Sequence, residues 1–568
     1  MTLLIRTACV LLPLAFVAFP IPSQTPANQS PPPSGVEPPV IRATTRLVQV
    51  SVVARDKDGS PAEGLKSSDF RVTADGRPQK IAFFSVESTG RVPAANPPLP
   101  PHTFTNLLAA RGEQTNSITV VLLDLVNTKM TDRMYARLQL LKYLGEIQPQ
   151  DRIGVYVFNG RIRVLHDYTA DMTDLQRKIA AATQKLSNVS QTEEPGALGN
   201  DNGDFAEMLG AGGGSPQERE FFMRSRVLGT LEVFKFIAVH LAQVPGRKNV
   251  IWVSGGFPTL FGYEHESNFS DDFIDEIDAT VRALSDANVA IYPIDARGLV
   301  TPPAYDASRR SPSAGAPGPG APSGRASTRP PGSGNRSSDR LAAIHETMDD
   351  LAHRTGGRAY YNTNDLAKAI HDAVSDSTLT YTLGFYPENE KHNREFHKIK
   401  VEVERSHVNL HYRSGYLDVP EAPADDKLRM AQLRDALWSP LEATELGLTA
   451  EATWASPSGS APAAGPSSLN VALNIKPDGI AIKLDGDRYT GHLDVLMIPF
   501  DARGNQLDGP QDTIDLKMLS ETYKKFTVNG VPLTKTLSLS QRAATLRIVV
   551  RDAGSGMIGS LTVPLKEL

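Results

Sequence analysis

A single cysteine, Cys9, occurs in the 568 residues of this chain. One thiol cannot close a disulfide within a chain, and Cys9 lies inside an N-terminal apolar stretch that export would remove. Disulfide staples, thiolate metal sites and cysteine catalysis are therefore excluded for a processed chain. An excess of one charge sign is also missing: 59 basic and 64 acidic residues leave a net charge of −5, and no basic stripe stands out. Nucleic acid and anionic membrane surfaces are thus disfavoured as partners. After the first 23 residues no apolar run is long enough for a transmembrane helix, so no membrane insertion of the mature chain is expected.

The N-terminus has the parts of a secretory signal: Arg6 as the positive region, Val10 to Phe19 as a short apolar core, and a cleavage point near Ser23. Cys9 precedes that core instead of following it, unlike a lipoprotein attachment site. The mature chain is expected to be exported, to the periplasm or out of the cell. An uncleaved N-terminal anchor is the alternative reading.

The length implies about three or four domains. Residues 1–23 are the signal and 24–40 a proline-rich linker. Residues 41–95 alternate around the turns DKDGSP and ADGRP, as a small β module would. The Asp56–Gly59 string lacks the later oxygen ligands of a calcium loop and is read as a hairpin turn. From 105 to 420 strand-like and helix-like segments alternate, with polar insertions at 187–215 and 299–338, the second read as disordered. The period then becomes two, in a meander over 381–418 that would either extend the central sheet or pack beside it. A connector helix is expected within 421–443 and a β-sandwich over 444–568.

The run Ile118–Leu123 is almost wholly aliphatic and β-branched, the pattern of a strand buried on both faces, and it ends on Asp124. A carboxylate there lies at the carboxyl edge of an α/β sheet, where such folds bind ligands. Asn127 and Thr128 follow on the loop, and Ser254 ends a second such strand, KNVIWVS. Other constellations are weaker. The Asp552–Met557 string sits between alternating strands and is a hairpin, and His392, His397, His407 and His411 have no zinc spacing. Asp271, Asp272, Asp275, Glu276 and Asp278 open a helix, where acidic charge suits the macrodipole.

Several blocks in order, VVLLDLVNT (120–128), DRIGVYVFNGRIRVLHDYTAD (151–171), RKNVIWVSGGF (247–257), IYPIDARGL (291–299), LAHRTGGRAY (351–360), YTLGFYP and HYRSGY, carry a resemblance over residues 40 to 420. The region resembles the von Willebrand factor type A (VWA) domain, in its secreted VWFA-related acidobacterial form. The resemblance implies a Rossmann-like, doubly wound α/β fold and a metal-ion-dependent adhesion site holding Mg²⁺. Carried over, Asp124 matches the first ligand and Thr128 the second hydroxyl, with Asn127 and Ser254 as substitutes. Val126 stands where the family has its first serine and Gly255 where it has its later aspartate; Ser190 or Thr192 would supply the loop threonine. Without metal, Asp124 would cap the next helix or bond loop amides.

The expected function is that of an exported, non-enzymatic binding or adhesion protein, recognising a protein or cell-envelope ligand at this edge through a degenerate adhesion site. The alternatives are a structural envelope component with a vestigial site, and a serine hydrolase using Ser254. The hydrolase elbow would need Gly where Trp252 stands.

Overall fold

The computed structural model of the chain describes residues 47–88, 99–107, 110, 118–144, 152–169, 216–256, 273–299, 336–387, 396–417, 426–455, 467–540 and 542–568. The signal, the proline-rich linker, a helix-like segment at 172–185, the polar insertion 187–215, residues 300–335 of the second insertion, Ser190, Thr192, His392, Asp271 and Asp272 lie outside them; of the stretch read as disordered, 336–338 belong to helix Arg336–Thr355.

The central sheet has five strands in the order Val289–Asp295, Lys248–Ser254, Ile118–Asp124, Ile153–Phe158, Ile162–Thr169. The first four run parallel and the last is antiparallel to its neighbour. Each parallel strand is buried along its whole length. Their side chains alternate between two apolar clusters, as a sheet covered on both sides requires. Ile118, Val120 and Leu122 join one, with Phe234 from helix Pro216–Leu241, Leu284 from helix Ile274–Asp286 and Met348 from helix Arg336–Thr355. Val121 and Leu123 join the other, with Leu140 from helix Met130–Leu144 and Ile370 from helix Leu366–Ser375. The chain is thus a mixed α/β protein, with strands the commoner element.

The flanking strands cross the boundaries expected from sequence. Val48–Arg55 pairs with Leu379–Phe385, Val50 lying opposite Leu383, and with Asn409–His411. Phe70–Ala74 pairs with Phe396–Val403. The strands of 41–95 therefore pair with strands of 105–420: the meander does not extend the central sheet but completes the N-terminal strands, and it lies beside the central unit, Ser414 N–H donating to the His353 carbonyl at 3.0 Å and Arg358 meeting His411 at 2.7 Å. Two four-stranded sheets result, sharing one apolar cluster that includes Val50, Phe70, Tyr381 and Val401. Open sheet edges favour such completion, because the four N-terminal strands alone would leave ladder groups unpaired.

Thr103–Thr105, in the proline- and asparagine-rich stretch 96–106, likewise forms an edge strand on Leu448–Trp454. Residues 448–568 build two further sheets around one cluster, and helix Asp426–Trp438 covers the other face of one of them, Leu433 and Leu437 packing with Leu496, Ile498 and Val549. One helix there, Ser520–Asn529, interrupts the alternation expected from sequence. Among the described residues no helix is long and apolar enough to cross a membrane.

Candidate functional site at the carboxyl edge of the central sheet

Three adjacent parallel strands end on Asp124, Ser254 and Asp295, and Ser254 is in register with Asp295. All three side chains are buried.

Asp124 Oδ1 accepts the Asn127 backbone N–H at 3.0 Å. Its Oδ2 accepts from Asn127 Nδ2 at 2.7 Å, Trp252 Nε1 at 3.0 Å and Ser254 Oγ at 3.0 Å. These donors are neutral. Burial raises the Asp124 carboxyl above its ordinary value of 3.8, and the hydrogen bonds only partly offset it. Trp252 is aimed by its own packing, its ring edge-on to Phe234 at 5.4 Å. Thr128 Oγ1 donates to the Asp124 carbonyl and accepts from Gly255 N–H at 3.0 Å, fastening the loop after one strand to the end of the next.

A positive charge stands behind this group. Arg226, on helix Pro216–Leu241, donates from Nε to Asn127 Oδ1 at 3.2 Å, and Thr230 of the same helix accepts from Asn127 Nδ2 at 2.8 Å. Burial lowers the Arg226 guanidinium from its ordinary range, and the Asp124 charge works against that fall. Arg133 holds the loop from its other side, donating to the Thr128 carbonyl at 2.8 Å and the Leu125 carbonyl at 2.6 Å.

Asp124, Asn127, Thr128 and Ser254 therefore do converge, but as a closed hydrogen-bond network. They do not fit Mg²⁺ as they stand. A dication needs free oxygen lone pairs around it, and here both carboxylate oxygens face N–H and O–H hydrogens while the Asn127 oxygen faces Arg226. Val126 turns into the apolar cluster. Gly255 has no room for the family's aspartate, since a Cβ there would lie 2.7 Å from the Asn127 carbonyl oxygen. Among the described residues no group of three or more His, Cys, Asp or Glu side chains could hold a metal ion.

Asp295 has charged partners instead. Its oxygens accept from Arg297 N at 3.0 Å, Arg297 Nε and Nη2 at 2.8 Å, and His345 Nε2 at 3.0 Å. Burial opposes its ionisation, but the His345 and Arg297 hydrogen bonds and the Arg297 charge outweigh it and hold the carboxyl below 3.8. His345 stacks on Tyr361, ring centroids 4.1 Å apart. Nothing in the spacing of Asp295 and His345 along the chain signals that they meet. For a hydrolase a histidine and an acid would have to converge on Ser254. Ser254 Oγ instead bonds Asp124 and the Gly256 backbone, and His345 is engaged by Asp295.

The remaining histidines are dispersed: His397 pairs with Asp75 at 2.6 Å and His411 with Arg358 at 2.7 Å. Asp275 and Glu276 occupy the first turn of their helix, and Asp278 pairs with Arg354 at 2.5 Å.

No protein-family model matches the chain, and no curated protein matches it in sequence. Among solved structures, it is similar to an aerotolerance-related membrane protein from Bacteroides fragilis (17% identity, 45% of this chain and 98% of that one, TM-score 0.22). It is also similar to the conserved hypothetical protein BatB from Bacteroides thetaiotaomicron (16%, 46% and 98%, TM-score 0.22). A third is proximal thread matrix protein 1 of the mussel byssus, in a form with a zinc-occupied MIDAS motif (11%, 47% and 46%, TM-score 0.21). All are distant likenesses.

Proposed function

We propose that this chain is an exported, non-enzymatic binding protein. In this reading the central unit is a Rossmann-like, doubly wound VWA-like domain flanked by β-rich units, the last a β-sandwich. It recognises a protein or cell-envelope ligand at the carboxyl edge of its sheet without a bridging metal. The observation that carries the reading is the closed network around Asp124, with Arg226 behind it. In a metal-bridged adhesion site a dication presents positive charge to an acidic group of the partner. Here Arg226, Arg133 and the exposed Lys129 supply fixed cations around the same loop, and an acidic ligand group is the natural complement.

The saturation of Asp124 also favours a second reading, a structural envelope component whose edge is vestigial. Binding of the full chain to envelope fractions of its own cells separates the two. Lys129→Glu reverses an edge charge and should weaken saturable binding by the folded variant about tenfold, roughly 1.4 kcal/mol. Equal binding by wild type and Lys129→Glu would sink the edge-recognition reading and leave the structural one.

A further inference from the structure

A cleft of about 550 Å³, lined by none of the residues of the Asp124 network, lies between helices Pro216–Leu241, Ile274–Asp286 and Asp426–Trp438 and the segment Leu441–Glu445. All of these belong to the compact unit Arg46–Leu568. Leu231, Phe236 and Val239 give it an apolar wall. Four carboxyl groups share the lining, Glu232, Glu276, Asp435 and Glu445, against two cations, Lys235 and Arg434. The formal balance is 2 − 4 = −2.

Neither cation neutralises the inner carboxyl. Arg434 is exposed and lies 3.6 Å from Asp435, its neighbour in sequence. Lys235 is drawn to Glu276, Glu232 and Asp435, and burial lowers its ammonium. Glu445 accepts one backbone hydrogen bond, from Ile558 N–H at 2.9 Å, and no cation pairs with it among the described residues. Burial raises Glu232 and Asp435, and pushes Glu445 up to about 7, with Asp286 adding to the effect. Glu232 and Asp435 feel Lys235 and Arg434, whereas Glu445 has no such counter-charge among the described residues, and a further cation placed among them would lower all three.

We propose that this cleft binds a small amphipathic organic cation, an ammonium or guanidinium group on an apolar body. The apolar part lies on Leu231, Phe236 and Val239, and the charged end meets Glu445 with Glu232 and Asp435 around it. Size and composition agree with a small-molecule site, which is concave, largely apolar and orients its ligand through few polar groups.

The test is calorimetric titration of the full chain with phenethylammonium and phenethylguanidinium, beside the uncharged 2-phenylethanol. At least one cation should bind saturably and about tenfold or more tighter than the alcohol. Glu445→Gln should abolish most of that difference. Glu232→Gln, on the exposed rim, should reduce it severalfold at unchanged melting temperature, and it carries the test should Glu445→Gln fail to fold. Equal affinity for cation and alcohol would reduce the cleft to an apolar hole. No saturable binding of either cation, or cation binding unaffected in the folded variants, would overturn the proposal.

Discussion

Asp124 and Asp295 end two strands of one sheet, on either side of Ser254, and both are buried, yet their surroundings are opposite. Asp124 is met by an amide, an indole, a hydroxyl and a backbone N–H. Asp295 is met by a guanidinium and an imidazole. Burial alone raises a carboxyl; neutral donors recover part of the lost hydration, and a formal counter-charge recovers more. One position in a fold thus yields a carboxyl held above its ordinary value and another held below it.

The largest effect should come from removing the charged member. Asp295→Ala leaves Arg297 and His345 without their acceptor and should cost about 3 kcal/mol or more, read from urea unfolding. A loss under 1 kcal/mol would mean that the pair is solvated and the contrast false. Restoring the family's aspartate comes next: Gly255→Asp drives a side chain against the Asn127 carbonyl oxygen, 2.7 Å from the Cβ position. It should destabilise by about 1–3 kcal/mol, with no recovery on adding Mg²⁺. Recovery by Mg²⁺ would show that the loop can open into a ligand set.

pH separates the two aspartates by sign. The folded Asp124 holds its proton more tightly than the unfolded chain, so its contribution to stability falls as pH rises above 3.8 toward the native value. Asp295 does the reverse: its contribution is full above 3.8 and is lost as pH falls through the lower native value. In urea midpoints the penalty of Asp124→Asn should therefore grow between about pH 7 and about pH 4, while that of Asp295→Asn should hold over that range and shrink only as pH falls further below 3.8. Parallel changes would contradict the opposed environments. The smallest effect is expected for Trp252→Phe, which removes one neutral donor from Asp124 and should cost about 1 kcal/mol.

Much of this edge was legible in sequence because burial on both faces leaves an unbroken aliphatic run. Ile118–Asp124, Lys248–Ser254 and Val289–Asp295 are such runs, and each run's last residue marks the edge. Asp295 carries the same signal as Asp124, a carboxylate closing an aliphatic run, although the adhesion-site pattern has no position for it. Trp252 was detectable too: two positions before Ser254, it shares that residue's face of the strand. Arg226, Thr230 and His345 were not, since each reaches the edge from a helix distant in the chain, and spacing along a helix does not name its tertiary partner.

The same limit explains the flanking sheets. Alternation tells which face of Val48–Arg55 is buried, but not that Leu379–Phe385 lies beside it. Ser520–Asn529 was hidden among alternating strands, although Gly530, with φ of 76°, marks its end.

The central claim is that this edge is closed by its own hydrogen bonds and needs no ion. Thermal unfolding of the full chain in EDTA, then in excess Mg²⁺, Mn²⁺ or Ca²⁺, addresses it directly. A site at one hundred times its Kd would gain about 2.7 kcal/mol. The account predicts no shift with any of the three ions. A rise in melting temperature that disappears in Asp124→Ala would contradict it and return the metal to the site.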